Sequence, residues 1–365
     1  MSSKVRIGII GTGGMAAAHV EQYNKTGEVD IVTCYDVAAE KAKAFATKHE
    51  ITSVANDIAD LVEQVDAVSI VTPDRFHAEL AILFLSQGKH VLCEKPLTVT
   101  LDEAGKVAAA AKEAAARGTI NMVNFSYRSS AAFQKAMSIA RSGQLGQIRH
   151  VQSFYLQQWL NGSGIDTSKT STDSLWRLAT SLGSAGVLGD LGCHILDLTS
   201  ACSEDFVAMR CELRTFPKLV DGYYSTNAGS LALDANDTAL IEFELAGGGV
   251  GVCHTTRWAT GHGNHLRFEV YGTEGAVTFD LAKDPNSIEL CFGKDRLERP
   301  WENTYVSEKL EPTPSNWARF VTAIKTGNQE SPDIARGAVV QSYLDTCERS
   351  AKSGVWERVV SVAGQ

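Results

Sequence analysis

The sequence predicts an α/β protein in two parts, a doubly wound parallel sheet followed by an α+β region with a large open, mostly antiparallel sheet. In the first third of the 365 residues, short β-branched runs alternate with helical stretches, as in a parallel sheet covered by helices. From residue 206 onward, long strand-like runs follow one another through short turns such as Gly247-Gly248, which is typical of antiparallel pairing. The length also fits two domains of about 150 residues each.

The first part, assigned to residues 1–125, contains five strand-like runs with helices between them. Each run is short and apolar, as expected of strands buried on both faces. The predicted strands are Val5–Ile10, Val29–Tyr35, Asp66–Thr72, His90–Cys93 and Thr119–Phe125. The predicted helices are Met15–Lys25, Ala38–His49, Phe76–Gln87 and Leu101–Arg117, the last two followed by Gly88 and Gly118.

The second part, assigned to residues 126–365, mixes helices with longer strands. Helices are predicted at Ala132–Ser142, Gly186–Cys202, Ser315–Thr326 and Ile334–Ser350, and the last two can pack back on the first domain. Strands are predicted at Ile148–Gln158, Val207–Phe216, Thr238–Leu245, Gly249–Trp258, His265–Tyr271, Ala276–Asp280 and Ser287–Phe292. Residues 161–172 are rich in Ser, Thr and Gly and are predicted to form an exposed loop.

Composition excludes several classes of protein. With 44% hydrophobic and 21% charged residues the chain is not expected to be disordered, and a net charge of −9 opposes binding to a nucleic-acid backbone. No uncharged apolar run approaches the roughly 18 residues of a membrane span, and the N-terminus does not resemble a signal peptide. The eight cysteines include no C-x-x-C pair, so we expect reduced thiols in a cytoplasmic protein with no nucleic-acid or membrane partner.

The run Gly11-Thr12-Gly13-Gly14-Met15-Ala16 has the G-x-G-x-x-A pattern of a dinucleotide-binding turn. A strand precedes it and a helix follows, so the helix N-terminus can face a pyrophosphate. A purely structural glycine turn is the alternative. Asp36 lies 25 residues after Gly11, at the end of the second strand, where an acid accepts hydrogen bonds from ribose hydroxyls and disfavours a 2′-phosphate. This pattern favours NAD over NADP, although Asp36 can also cap the next helix.

Two further polar groups follow predicted strands, at the edge of the sheet where ligands bind in such folds. Thr72-Pro73-Asp74-Arg75-Phe76-His77 joins a strand to a helix, and His77 could equally have a capping or packing role. Glu94-Lys95-Pro96 places a lysine where it can give or take a proton for an alcohol/carbonyl couple. A surface lysine is the alternative for Lys95.

The segment from Gly186 to Asp197 places Asp190 and His194 four residues apart, on one face of a predicted helix. This spacing suits a carboxylate–imidazole pair or half of a metal site. The other spacings of known metal motifs are missing, so no metal is predicted. Gly186, Gly189 and Gly192 weaken a helix by about 1 kcal/mol each, which suggests close approach of a ligand or of another backbone.

These motifs together resemble the glucose–fructose oxidoreductase / inositol dehydrogenase family (Gfo/Idh/MocA). Four features match in order and spacing: the glycine turn, the segment from Thr72 to His77, the run Gly88–Leu97, and the run Gly189–Asp197. Weaker matches are Asn124–Arg128, Gly143–Gly146, Leu175–Arg177 and Ser331–Asp333.

The resemblance implies an N-terminal Rossmann domain that binds NAD and a C-terminal domain that binds substrate. It implies that Lys95, Asp190 and His194 are the catalytic group, with Lys95 or His194 taking the proton and Asp190 orienting the pair. The sequence does not separate the two proton acceptors. The cofactor contacts that it implies are Gly11, Thr12, Gly13, Gly14, Met15, Asp36, Thr72, Pro73, His77, Glu94, Lys95, Asn124, Trp176 and Arg177.

The family usually acts on cyclic sugars or polyols, oxidising a ring hydroxyl or reducing the corresponding ketone. The loop 157–174 carries polar and aromatic side chains that suit sugar hydroxyls, although an exposed loop would look similar. These are Gln157, Gln158, Trp159, Asn161 and Asp166, and His265 is a further candidate. The predicted substrate contacts are Lys95, Tyr127, Arg128, Gln157, Trp159, Asp190 and His194.

Other functions remain open within the same resemblance. One is a glycosidase that uses NAD for transient oxidation and elimination, and another is a non-catalytic dinucleotide or sugar sensor. Reduction of a non-sugar such as a diol or a tetrapyrrole is a third.

The open sheet also requires a cover, so a homodimer or homotetramer is expected. Glu242 and Glu244 give the strand Thr238–Leu245 a partly polar face.

Overall fold

The computed structural model describes residues 4–162, 164–168, 175–294, 298–299, 302 and 304–362. The chain forms two compact units. The first comprises Met1–Ser126, Pro314–Gln341 and Ser361–Gln365, and the second comprises Tyr127–Thr313 and Ser342–Val360. The predicted fold class is confirmed, because the first unit contains a parallel sheet and the second a nine-stranded, mostly antiparallel sheet.

The first unit is a parallel sheet with helices between successive strands. Its strands are β1 Val5–Ile10, β2 Val29–Tyr35, β3 Ser53–Val54, β4 Ala67–Ile70, β5 His90–Cys93 and β6 Asn121–Val123. Its helices are α1 Gly14–Thr26, α2 Ala39–Lys48, α3 Ile58–Gln64, α4 His77–Ser86 and α5 Leu101–Ala115. The strand order is β3-β2-β1-β4-β5-β6, so the chain reverses direction across the sheet beside β1. The carboxyl ends of β1 and β4 therefore form the crevice where this fold binds ligands.

Local sequence explains where these elements begin and end. The apolar runs of β1 and β5 are almost wholly buried, as the predicted boundaries require. Helix α5 begins at a capping box, in which the Thr100 side chain and Glu103 bond reciprocally to each other's backbone N–H. Strand β3 and helix α3 were not predicted, because β3 has only two residues and α3 only seven, too few to show a period.

Within the described residues, the second unit contains one nine-stranded sheet and two short two-stranded sheets. Its strands are β7 Ile148–Leu156, β8 Phe206–Arg214, β9 Lys218–Val220, β10 Tyr223–Ser225, β11 Asn227–Ala228, β12 Leu231–Ala232, β13 Thr238–Leu245, β14 Val250–Thr256, β15 His265–Gly272, β16 Gly275–Asp280, β17 Ser287–Phe292, β18 Val306–Lys309 and β19 Glu357–Arg358. The nine-stranded order is β18-β17-β16-β15-β7-β14-β13-β8-β19, and in the described part of the chain its one parallel pair is β7–β14. The short pairs β9–β10 and β11–β12 were not predicted.

The helices of the second half divide between the two units. Helices α6 Ala131–Ser142 and α7 Cys193–Ala201 belong to the second unit. Helix α8 Asn316–Thr326 belongs to the first, where Trp317 and Phe320 pack in the same core as Tyr23 of α1. Helix α9 Ile334–Ser353 contributes residues to each unit, with the division at Gln341.

All eight cysteines lie among the described residues and are buried as thiols, as their apolar sequence context predicts. Burial raises the pKa of several of these thiols, including that of Cys34 to about 11. Among the described residues, no helix combines the length and the hydropathy that crossing a bilayer requires.

Candidate active site

The glycine turn after β1 leaves backbone exposed at the start of α1. Gly11 has φ of +86°, and a Cβ there would lie 2.7 Å from the Val71 carbonyl oxygen, so only glycine fits. A Cβ at Gly13 or Gly14 would meet no described atom within 4 Å. No described side chain caps the N-terminus of α1 at Gly13. Open space above uncapped N–H groups at a helix start is the environment that a pyrophosphate requires.

Asp36 connects this turn to the next helix. Its Oδ2 accepts hydrogen bonds from the backbone N–H and the hydroxyl of Thr12, both at 2.9 Å, and its Oδ1 accepts from the N–H of Ala38 at 2.9 Å. Burial by itself would raise the pKa of this carboxyl, but these hydrogen bonds outweigh it and the pKa is lowered. Asp36 therefore supports the turn and remains an anion, but it does not cap α2, because the N-cap of that helix is Ala38.

The segment after β4 contains a buried hydroxyl with no partner among the described residues, Thr72 Oγ1. Such an orphaned polar atom at the crevice fits a group whose ligand supplies the missing hydrogen bond. Pro73 beside it is exposed. His77 is buried, and its Nε2 and Nδ1 contact the carbonyl oxygens of Thr72 at 2.9 Å and of Pro96 at 2.8 Å. His77 thus joins the segments that follow β4 and β5, which agrees with the packing alternative for this residue.

Glu94, at the end of β5, is a buried anion. Its Oε1 accepts hydrogen bonds from His19 Nε2 at 2.8 Å and Asn124 Nδ2 at 2.6 Å, and its Oε2 accepts from the Lys95 N–H at 3.2 Å. Burial alone would raise the pKa of Glu94, but His19 and then Asn124 lower it to about 2. The carboxylate therefore fixes the backbone of Lys95, whose side chain is half-buried.

In the second unit, the predicted helix Gly186–Cys202 is not one continuous α-helix. Residues Leu188–Gly192 form a π-helix, and α7 follows it. This short π segment contains Asp190, and π turns often occur at functional sites. The glycines are explained locally, since a Cβ at Gly186 or Gly189 would lie 2.3 Å from the side chain of Asn236 or of Ala185. The close approach expected at these glycines is therefore made by neighbouring residues and does not require a ligand.

Asp190 is held by two arginines. Arg257 Nη2 donates to Asp190 Oδ2 at 2.9 Å, and Arg177 Nε lies 3.9 Å from the same oxygen. The Arg257 side chain is fully buried, whereas that of Asp190 is 25% exposed. Sequence reasoning missed Arg257, which lies inside the predicted strand Gly249–Trp258 and just after the observed β14. The only signal for it was an arginine at a position whose alternation predicts burial.

His194 packs against two tyrosines and is 7% exposed. The ring of Tyr127 lies edge-on to the imidazole with centroids 4.9 Å apart, and the ring of Tyr155 lies at 6.2 Å. The Tyr127 and Tyr155 hydroxyls are 2.6 Å apart. Tyr155 donates to Asn264 Oδ1 at 2.7 Å, and Asn264 Nδ2 donates to Tyr127 at 2.8 Å, so Tyr127 must donate to Tyr155. The three groups form a closed hydrogen-bonded cycle beside His194.

This cycle continues to an exposed indole. Gln157 Nε2 donates to Asn264 Oδ1 at 2.9 Å, and Trp159 Nε1 donates to Gln157 Oε1 at 2.9 Å. Trp159 is 42% exposed, and the Arg257 guanidinium lies 4.9 Å from its ring centroid. Contacts therefore run without a break from His194 through Gln157 and Trp159 to Arg257 and Asp190. Burial, followed by the neighbouring Tyr127, raises the pKa of Tyr155, so its phenol stays protonated.

The structure changes the role of one predicted substrate contact. Arg128 is 1% exposed, and its Nε and Nη2 donate to the two carboxylate oxygens of Asp197 at 2.8 and 2.6 Å. Its guanidinium is therefore part of an interior ion pair and presents no surface to a ligand. His265 lies with its Nε2 2.8 Å from Asp280 and its Nδ1 2.8 Å from His262 Nδ1.

The remaining predicted residues lie in loops. Gln158, Asn161 and Asp166 hydrogen-bond to Gly261, Thr260 and Ser168. Trp176 and Arg177 form a short 3₁₀ turn of the second unit, with the Arg177 guanidinium 4.4 Å from the Trp176 ring centroid. Their contact with a nicotinamide stays a prediction, and the loop residues 169–174 lie outside the described part of the chain. Within that part, no three His, Cys, Asp or Glu side chains are grouped as a metal site would need.

Comparison with known proteins identifies the family. Residues 5–122 match the model described as "Oxidoreductase family, NAD-binding Rossmann fold" of Gfo/Idh/MocA, and residues 133–278 match the C-terminal domain of the same family. The chain belongs to the Gfo/Idh/MocA oxidoreductase family. Its first unit is the NAD-binding domain of that family, and the glycine turn, Asp36 and Thr72 lie in it.

Relatives in this family cover nearly the whole chain. Levoglucosan dehydrogenase of Pseudarthrobacter phenanthrenivorans is 27% identical, over 98% of this chain and 99% of the relative. Inositol 2-dehydrogenase of Rhizobium meliloti is 25% identical, over 98% and 99%. The solved structure of a levoglucosan dehydrogenase in complex with NADH and levoglucosan is 25% identical, with a TM-score of 0.83 over 98% of this chain and all of that one.

Proposed function

We propose that the protein is an NAD-dependent dehydrogenase that oxidises a ring hydroxyl of a cyclic sugar or polyol, or reduces the corresponding ketone. One observation carries the proposal: His194, Trp159 and Asp190 are joined by continuous contacts in the second unit of a chain whose first unit binds NAD. An imidazole, an exposed indole and a carboxylate suit a sugar, which offers hydroxyls at its edge and apolar C–H groups on its face. The names of the full-length relatives support the same substrate class.

Oxidation of the alcohol removes a hydride from carbon and a proton from oxygen. Bound NAD supplies the hydride acceptor. His194 or Lys95 takes the hydroxyl proton, and Asp190 stabilises the positive charge that the acceptor then carries. The phenol of Tyr155 is unsuited to this step, because its raised pKa disfavours the phenolate that would accept a proton.

The proposed preference for NAD over NADP rests on Asp36. Its carboxylate is ionised and fixed by Thr12 and Ala38, and Oδ1 keeps one acceptor position for a ribose hydroxyl. A 2′-phosphate there would meet this negative charge. The neighbouring Val37 is 92% exposed and uncharged, and the cation whose charge acts on Asp36 is Lys41, four residues further along the chain.

A spectrophotometric assay tests the activity. Purified protein is mixed with NAD or NADP and levoglucosan, myo-inositol, scyllo-inositol or glucose, and absorbance of the reduced nicotinamide is followed. We expect turnover with NAD that falls at least 100-fold in His194→Ala, in Lys95→Met and in Asp190→Asn. The exposed Glu63→Gln is the control and should keep full activity. NAD binding without turnover on any of these substrates, or release of an aglycone from a glycoside without net NADH, would contradict the proposal.

We also propose a homo-oligomer in the cytoplasm, a homodimer or a homotetramer. One face of the large sheet exposes the apolar side chains Leu240, Val250 and Val252, which are 48%, 51% and 42% exposed. Glu242 and Glu244 lie opposite Val252 and Val250 on the paired strand, as in a partly polar interface. Light scattering at micromolar concentration distinguishes these assemblies from a 39.3 kDa monomer.

A further inference from the structure

We propose that Arg257 is a positioning residue for the proposed reaction, acting through Asp190 and Trp159. Its side chain is fully buried and reaches both of them. Nη2 donates to Asp190 Oδ2 at 2.9 Å, and the guanidinium carbon lies 4.9 Å from the centroid of the Trp159 ring. One rigid, permanently charged group therefore fixes both the carboxylate and the aromatic surface of the proposed substrate site.

The backbone around Arg257 leaves its guanidinium little freedom. Nη1 donates to the Arg177 carbonyl at 3.0 Å, and Nη2 also lies 3.5 Å from the Gly186 carbonyl. These two carbonyls flank the segment that leads into the π-helix. The Arg257 N–H donates to the Asp237 carbonyl at 3.1 Å, which anchors its backbone just beyond β14. Backbone carbonyls thus hold the guanidinium in place, and its remaining described contacts are with Asp190 and Trp159.

The two arginines near Asp190 have different roles. The Arg177 side chain is 42% exposed and lies 3.9 Å away, so water screens its interaction with the carboxylate. Arg257 has no contact with solvent, so its pairing with Asp190 is screened much less. Asp190 itself is 25% exposed, so the fixed carboxylate still faces solvent on one side. Arg257 therefore fixes the position of the Asp190 carboxylate in the proposed site.

A double-mutant cycle tests this assignment. We expect Arg257→Met to lower kcat about 100-fold, because a displaced carboxylate no longer meets the reacting groups. It should also raise KM, because Trp159 loses its support. In an Asp190→Asn background, Arg257→Met should change kcat less than threefold, since Arg257 acts through that carboxylate. Multiplicative effects of the two substitutions on kcat would overturn the proposal.

Conservative and control variants separate positioning from folding. Arg257→Lys retains the charge but loses the planar fork, so it should recover kcat to within about tenfold of wild type and leave KM raised. If Arg257→Met does not fold, Arg257→Lys completes the same cycle with Asp190→Asn. Arg214→Met removes an exposed arginine of β8 that pairs with Glu212, and should change neither kcat nor KM.

Because this assignment rests on the function proposed above, a second measurement is independent of turnover. Subtracting the fluorescence of a Trp159→Phe variant isolates Trp159 from the other five of the six tryptophans. Iodide should quench Trp159 more strongly in Arg257→Met than in wild type, because the ring is no longer held. Unchanged quenching would refute the positioning of Trp159, whether or not the protein oxidises any of the sugars. If the wild type is inactive but the quenching changes as expected, only the proposed function is refuted.

Discussion

Replacing the buried carboxylate of Glu94 by an amide should destabilise the first unit by an amount that the structure sets. The pKa of Glu94 falls from an ordinary 4.5 to about 2. Each pKa unit corresponds to ~1.4 kcal/mol, so the ionised group contributes about 3 kcal/mol to the free energy of unfolding at neutral pH. In Glu94→Gln the amide nitrogen faces a donor in either orientation, because Lys95 donates to one oxygen and Asn124 to the other.

Thermal unfolding followed by circular dichroism measures the loss. For a unit of this size, about 3 kcal/mol corresponds to a Tm lowered by about 6–12 °C. The folded pKa is depressed, so the stabilisation is complete above pH 4.5 and is lost as pH falls towards 2. The Tm difference between wild type and Glu94→Gln should therefore be constant from pH 7 to pH 5 and shrink below pH 4.5. A difference under 2 °C at pH 7, or one that widens in acid, would refute this reasoning, and the exposed Glu63→Gln should change Tm little.

Three further substitutions test other parts of the structure. Gly11→Ala places a Cβ 2.7 Å from a carbonyl oxygen at φ of +86°, so NAD affinity measured by fluorescence titration should fall at least tenfold, and an unchanged affinity would exclude the tight turn. Asp36→Ser combined with Val37→Arg should raise the ratio of kcat/KM for NADP over NAD about 10- to 100-fold, and a ratio that stays constant would argue against the ribose role of Asp36. Asp197→Asn leaves Arg128 buried beside a neutral partner and should lower the free energy of unfolding by about 3 kcal/mol in urea, whereas a loss below 1 kcal/mol would indicate that the pair is not structural.

The sequence predicted those parts of the fold that depend on local pattern. Strands such as Val29–Tyr35 and Thr238–Leu245 have the predicted boundaries, because apolar runs and strict alternation mark burial directly. The sequence predicts an α-helix across the π-helix Leu188–Gly192, since a change from i→i+4 to i→i+5 hydrogen bonds leaves almost no trace in five residues. Its glycines gave the only sign of irregular packing.

The site was predictable where its residues follow strands of the parallel sheet, since topology brings those positions to one edge. The contacts around His194 were not predictable, because they join distant segments. Tyr127 and Asn264 are separated by 137 positions, and Arg257 and Asp190 by 67. Arg257 was also difficult to predict because arginines are rarely buried. A buried arginine is expected only when its carboxylate partner is already known.

The closed cycle of Tyr127, Tyr155 and Asn264 has a fixed polarity. The amide of Asn264 donates through one atom and accepts through the other, so it sets the direction in which both hydroxyl hydrogens point. Tyr155 also accepts from Gln157 at 3.3 Å, which fills both of its lone pairs. Tyr127 retains one acceptor position and no hydrogen to give. While the cycle is intact, a ligand hydroxyl at Tyr127 must therefore donate its hydrogen to the phenol oxygen. An ether or carbonyl oxygen in the same position would find no donor there.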